Sequence, residues 1–372
     1  MARSWTRRGE WIETALPAGF ADGHKPEADK ADASSAEAKS AATRAVIAEA
    51  ENASVPSAEA GKLPAEPPSA APNEGAADGE PGADSEASAS ESRPAPAAAG
   101  LEARAAAALG VPEKLARRLL AAGEVQVRGG RAMLRLRPDE DLGFDPAWEE
   151  SGIEVLYEDD FCLVVRKPAG IAVHPDGSRA QRATLANLVA AHYQMHGEAC
   201  AVHHVHRLDE YTSGPVLYAK GEFARLALDA QMREKGIGRV YLAVAAGKVP
   251  PSLTAIDAPI GRDRHHKSRR RVSPGGQEAR TRVELVRHLS GGRASLVRLT
   301  LDTGRTHQIR VHLAHAGHPL IGDVLYGGPE DPLNRQALHG ERLDFTHPFT
   351  GEGIEVSDPL PEDMERLLDR LT

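Results

Sequence analysis

The chain has 372 residues, 41% of them hydrophobic, and a formal charge of −9. Its two cysteines, Cys162 and Cys200, argue against a disulfide scaffold and fit a reducing cytoplasm, and no segment approaches the roughly 18 apolar residues of a membrane span. The acidity is local: residues 1–100 hold 9 Lys/Arg against 17 Asp/Glu and the remainder 36 against 37, so global charge neither supports nor excludes a polyanionic partner.

Residues 1–20 form an N-terminal segment with a basic start but no signal-peptide apolar run. They carry Trp5, Trp11, Ile12 and Leu16, and tryptophan is costly to leave in water, so this segment is expected to dock and is a candidate to complete the small domain that follows. Residues 21–99 are Ala, Glu, Ser, Pro, Gly and Asp almost throughout, interrupted by Pro64, Pro67, Pro68, Pro72, Pro81, Pro94 and Pro96. Such a composition cannot bury enough apolar area to offset chain entropy and predicts a disordered, acidic linker.

Pattern returns at residues 100–145. An Ala-rich helix ends at Gly110, and a second runs over 112–122, with Pro112 in its first turn and Gly123 at its stop. Val125-Gln126-Val127 and Ala132-Met133-Leu134 then alternate around Gly129-Gly130, a hairpin signal. Two helices, the second carrying Arg117-Arg118, followed by a hairpin resemble the small S4-like RNA-binding domain; a small α+β cap without RNA contact is the other reading.

Residues 150–372 are dense in strand signals. A hairpin turns at Glu158-Asp159-Asp160, and Thr184 caps a helix bearing Leu185, Leu188 and Val189. A strand at 216–219 leads into an amphipathic helix with Phe223, Leu226 and Ala230. Strands follow at 239–244, 281–286, 294–301, 337–345 and 354–356, with helices at 306–316 and 361–371. Consecutive strands outnumber helices, which predicts an α+β fold with a mixed, largely antiparallel sheet and flanking helices, preceded by the small α+β domain.

The chemistry centres on His206-Arg207-Leu208-Asp209-Glu210-Tyr211-Thr212-Ser213-Gly214, a polar loop between apolar segments. By residue type alone such an aspartate is more often an Asx-turn or helix cap. Lys167-Pro168-Ala169-Gly170 precedes it, and Thr303-Gly304-Arg305-Thr306-His307-Gln308-Ile309-Arg310-Val311-His312 follows. Arg310 falls in the first turns of a helix, where the macrodipole disfavours a cation, so a specific partner is expected. His204 and His206 alternate on one strand face and with Cys200 could suggest zinc, but no Cys-x-x-Cys or His-Glu-x-x-His accompanies them, and no metal is expected. Residues 262–271 concentrate Arg and Lys as a basic loop.

His206-Arg207-Leu208-Asp209-x-x-Thr212-Ser213-Gly214 resembles the central motif of the RluA-type pseudouridine synthases. The resemblance extends in order through the Lys167 segment and Gly304–Arg310 to Gly322-Asp323-x-x-Tyr326-Gly327, Leu338-His339 and Phe345-x-His347-Pro348. Glu210-Tyr211 and Pro215 depart from it at the flanks of the loop. The resemblance implies a cofactor-free RNA isomerase that detaches uracil from C1′ and rejoins it through C5. Asp209 would be the nucleophile, Arg310 its cationic partner and Tyr241 a phenol stacked on uracil beside C5. Leu338 would pack on the base, and Arg207 would fill the gap left by a flipped nucleotide. Arg305, His307 and Lys167 are RNA-binding candidates, and the basic loop would meet phosphates. The expected partner is ribosomal RNA, with transfer RNA as the alternative, for a cytoplasmic monomer without a membrane. An RNA-binding or ribosome-assembly factor on the same fold is the alternative function.

Overall fold

The strands whose residues alternate between two apolar faces set the architecture. In the computed structural model, which describes residues 5–17, 100–136, 141–147, 152–175 and 183–372, the part from residue 152 onward contains two large antiparallel sheets. The first comprises β5 (Glu154–Glu158), β6 (Cys162–Lys167), β7 (Val202–His204) and β8 (Gly214–Lys220) in the order β5-β6-β8-β7. The second comprises β9 (Gly238–Ala246), β10 (Ala255–Asp257), β13 (Arg280–Leu289), β14 (Ala294–Leu301), β15 (Leu338–Thr346) and β16 (Gly353–Ser357), in the order β10-β13-β14-β9-β15-β16. A separate ribbon pairs β11 (Ile260–Arg262) with β12 (Arg270–Val272). The expected largely antiparallel α+β fold is the one adopted, with the sheet divided in two. Among the described residues a parallel bridge, Ser213 to His339, links the two sheets.

Every residue of β8 is buried, because both faces of its sheet are covered. Val216 and Tyr218 point into the main core with Leu163, Val165, Tyr241, Ala243, Val297 and Leu299. That core is closed by α3 (Leu185–Met195) and α5 (Gln308–His315). Thr184 and Asn187 form a capping box at the start of α3, with the Thr184 N–H donating to Asn187 Oδ1 at 2.9 Å. The alternate residues Leu217 and Ala219 face a second core with Phe161, Phe223 and Phe349, under α4 (Gly221–Arg233). α6 (Glu362–Leu371) covers the outer face of the larger sheet through Met364, Leu367 and Leu368.

A third sheet lies on the second core. It combines β1 (Trp5–Arg8), β2 (Trp11–Ala15), β3 (Val125–Arg128) and β4 (Arg131–Arg135) in the order β1-β2-β4-β3, beneath α1 (Leu101–Leu109) and α2 (Glu113–Ala121). Ile12, Leu119 and Leu134 of this unit pack with Phe161 and Phe223, and the Trp5 ring meets Phe349 edge-on at 6.2 Å. Arg117 pairs with Glu102 and Arg118 with Glu222. The linker reading of residues 21–99 lies outside the described residues. Among the described residues no helix is long and apolar enough to cross a membrane.

At the junction of the two large sheets the backbones nearly touch. Gly214 has φ +136°, and a Cβ there would stand 2.7 Å from the Gly340 backbone. Gly214→Ala is therefore expected to destabilise by about 2–4 kcal/mol, through strain and the forced separation of β8 from β15. A lowered midpoint in urea denaturation checks this; an unchanged midpoint contradicts it.

Candidate active site

The Asp209 loop is immobilised from three sides. Lys167 is 0% exposed, and its Nζ donates to the carbonyls of Pro168, Ile171 and Glu210 at 2.8–2.9 Å. The Gly170 N–H donates to the same Glu210 carbonyl at 2.9 Å. On the β15 side the Gly340 N–H donates to Ser213 O at 2.8 Å, Ser213 Oγ bonds His339 Nδ1 at 2.9 Å, and Gln336 Nε2 donates to Thr212 Oγ1 at 3.2 Å. Beneath it, buried Arg335 holds Asp363 through two bonds of 2.7 and 2.9 Å and donates to Leu338 O at 3.2 Å. A Thr212 N–H to Asp209 O bond of 3.0 Å closes the turn. Lys167 thus corrects the expectation of an RNA contact. Three carbonyls draw its ammonium inside, and burial pulls its pKa down to about 7 against the attraction of Asp209 and Glu210.

Asp209 opens onto a cavity of about 350 Å³, walled by Arg207, Tyr241, Gly304, Arg305, His307, Arg310 and Leu338 among others. Arg310 rises from the first turn of α5 and places Nη1 3.3 Å from Asp209 Oδ2. Its other edge holds Asp323 bidentately, at 2.8 and 2.9 Å, and its guanidinium lies 5.0 Å over the Tyr326 ring. Burial pulls Arg310 down, but its hydrogen bonds and charge attraction to Asp323, with the charge of Asp209, outweigh that and raise it. The cation is fixed where the helix macrodipole disfavours it because two carboxylates hold it there.

Tyr241 sits on the inner face of β9, buried, and burial pushes its phenol up so that it stays protonated. Leu338 begins β15 opposite Ala243. His307 takes the left-handed conformation (φ 58°) before α5, with Nδ1 2.8 Å from the Tyr326 hydroxyl. That hydroxyl also accepts from the Arg270 N–H at 2.9 Å, so the basic β11–β12 ribbon is tethered to the start of α5. Arg305 is anchored through Nε to Glu278 O at 2.9 Å. Arg207 stands exposed at the mouth, with Nη1 3.5 Å from His174 Nε2. Arg305 and Thr306 also line an adjoining cavity of about 340 Å³ with Arg262 and Arg270.

All predicted residues except Lys167 therefore line one cavity. The sequence reading assigned no role to Asp323. The sequence offered only its place, Gly322-Asp323 within the quoted motif segment after α5; the pairing with Arg310 needs the fold.

Among the described residues, His204 and His206 fall in no cluster of three metal-ligating side chains. His204 stacks on His174 at 4.9 Å, while His206 Nε2 accepts from the Leu217 N–H at 3.2 Å and its buried Nδ1 has no partner. Asp159, Cys162 and His347 lie close enough to share an ion. Asp159 is already satisfied there by Tyr157 (2.6 Å), His347 (2.7 Å) and the N–H groups of Phe161 and Cys162, and burial pushes the Cys162 thiol up.

Burial also depresses His206 to about 3. In the unfolded chain an imidazole binds a proton below about pH 6.5, whereas folded His206 refuses it until about 3, so stability falls as pH falls through that window. At pH 4 the loss is about 3 kcal/mol. His206→Gln should shrink the difference in unfolding free energy between pH 7 and pH 4 by about that amount. Urea denaturation at both pH values measures it, and an unchanged difference contradicts it.

A family model described as RNA pseudouridylate synthase matches residues 161–315. An uncharacterised RNA pseudouridine synthase of Bacillus subtilis (strain 168), YhcT, is 49% identical over 240 residues, 64% of this chain and 78% of the relative. The chain belongs to the RNA pseudouridine synthase family. Within it, ribosomal large subunit pseudouridine synthase D of Neisseria meningitidis (serogroup A / serotype 4A, strain DSM 15465 / Z2491) is 40% identical over 257 residues, 65% of this chain and 67% of that one. The solved structure of human RNA pseudouridylate synthase domain containing 1 aligns with a TM-score of 0.48 and 28% identity, over 59% of this chain and 87% of that chain. The protein is an RNA pseudouridine synthase of RluA type, and Asp209, Arg310 and Tyr241 lie inside the matched segment.

Proposed function

We propose that this synthase isomerises specific uridines of structured ribosomal RNA, with Asp209 as the nucleophile, Arg310 as its partner and Tyr241 against the base. The observation that carries the reading is the 3.3 Å contact of Arg310 with Asp209 at the wall of a cavity shared with Tyr241 and Leu338. The guanidinium fixes the carboxylate at the cavity wall, facing the sugar of a flipped nucleotide. The glycosidic pair of electrons leaves with uracil; Asp209 either bonds to C1′ or takes the C2′ proton to leave a glycal and later returns it; C5 then bonds to C1′, releasing the carboxylate where it had added, the C5 proton leaves and N1 is protonated. The reaction needs no co-reactant, and no cofactor enters the proposal.

Ribosomal RNA is favoured because the Neisseria relative is a ribosomal large subunit enzyme. Arg262, Arg270 and Arg305 beside the cavity suit the phosphates flanking the target, and Arg207 at the mouth suits the gap in the base stack. An S4-like role for residues 100–145 would act through exposed Lys114 and Arg128, since Arg117 and Arg118 are paired. The reading takes the protein to be a cytoplasmic monomer.

Pseudouridine mapping of total RNA from cells with and without the gene tests this reading. One or a few ribosomal positions should revert to uridine in its absence. Loss confined to transfer RNA would move the substrate, and an unchanged map would overturn the reading.

A further inference from the structure

Arg239 takes no part in the site as described so far. It stands two residues before Tyr241 on β9, and alternation puts both on the same face of the strand. It lines the same cavity as Asp209 and Tyr241. Its neighbours Arg310 and Arg335 are each matched by carboxylates, Asp209 with Asp323 and Asp363 respectively. Arg239 has no ion pair among the described residues, and its Nε is shielded from solvent without a hydrogen-bond partner. Gly304 leaves room for it, because a Cβ there would fall 2.5 Å from Nη1. A guanidinium donor withdrawn from water and left unmatched is costly, and the side chain that carries it lines a cavity whose ligand can meet the rest of the guanidinium.

We propose that Arg239 is a catalytic residue that binds the uracil ring of the target nucleotide and takes up the negative charge the ring carries while detached from the sugar. The inference rests on the pseudouridine synthase reading above.

The charge arithmetic of the reaction favours the base over a phosphate. When N1–C1′ breaks, the electron pair goes to N1 and spreads onto O2 and O4, while Asp209 serves the sugar by either route. That charge persists until C5 bonds to C1′, the C5 proton leaves and N1 is protonated. Arg310 is committed to two carboxylates on the sugar side and cannot serve the ring as well. Arg239, beside the tyrosine read as facing the base, presents its guanidinium to the cavity where the charge develops. Phosphates have other cations at the mouth and beyond it, Arg207, Arg262, Arg270 and Arg305. Within the cleft, Arg239 also draws the Tyr241 phenol down against the effect of burial, as a nearby cation must.

The test compares wild type with Arg239→Met, Arg239→Gln and Arg239→Lys on ribosomal RNA, reading single-turnover pseudouridine formation and RNA affinity at several salt concentrations. Arg239→Met and Arg239→Gln should lose about 10²–10³-fold in rate, and Arg239→Lys should recover part of it. RNA affinity and its salt dependence should stay near wild type. A variant that binds more weakly with a shallower salt dependence, at unchanged rate, would make Arg239 a phosphate contact and overturn the proposal. Unchanged rate and affinity would leave it balancing charge only and also overturn it. Thermal melting separates misfolding, and the lysine variant keeps the test decisive if the neutral ones unfold. If wild type forms no pseudouridine, the functional reading fails and this inference with it; loss of the Arg239 effect alone leaves that reading standing.

Discussion

Asp209→Asn is expected to lose pseudouridine formation by a factor on the order of 10⁴ or more while binding the same RNA with near-native affinity. The amide is nearly isosteric and can still meet Arg310 Nη1, so the loop pinned by Lys167, Gly340 and Gln336 has no reason to move. What disappears is the charge and nucleophilicity of Oδ2 at the cavity wall. Affinity is carried elsewhere, by the cations at the mouth and in the adjoining cavity. Single-turnover kinetics with a parallel filter-binding titration checks both halves. A variant that binds but turns over at the wild-type rate would remove Asp209 from the chemistry.

The second large effect belongs to Asp323. Its carboxylate is 1% exposed and holds Arg310 bidentately, so Asp323→Ala leaves a buried guanidinium with one partner instead of two. We expect a loss of about 3–5 kcal/mol in stability and a fall in rate of about 10²-fold or more, because Arg310 is no longer held at the angle that meets Asp209. The double variant Arg310→Met with Asp323→Leu separates the two roles. Replacing a buried pair by apolar side chains of similar size should restore much of the stability and none of the activity. Urea denaturation and the same kinetic assay read these outcomes. A double variant that recovers turnover would show that the pair only holds the fold.

The approach of Asp209, Tyr241 and Arg310 was legible because their motifs occur in order and because Arg310 sits at a helix start, where only a partner explains a cation. Strand alternation placed Tyr241 on β9 and the apolar faces on the core. The partition of the sheet was hidden, because the bridge and the glycine contact at the joint bring together residues 126 positions apart. Lys167 was misread for a physical reason. A lysine in a Lys-Pro-Ala-Gly turn looks solvated, and only the fold shows that three carbonyls converge on its ammonium. Asp323 and Arg335 escaped in the same way, since local sequence does not reveal which carboxylate a buried arginine finds. Arg239 was invisible as a site residue because its distinguishing property, a donor without an acceptor, exists only in the packed cleft.

The central claim, that this cleft exchanges the N1–C1′ bond of a uridine for a C5–C1′ bond through Asp209, is tested most directly by tritium release. Ribosomal RNA labelled with [5-³H]uridine is incubated with the protein, and released tritium is compared with pseudouridine formed. The account predicts one tritium per pseudouridine for the wild type and none for Asp209→Asn bound to the same RNA. No release by the wild type, or equal release by Asp209→Asn, would contradict it.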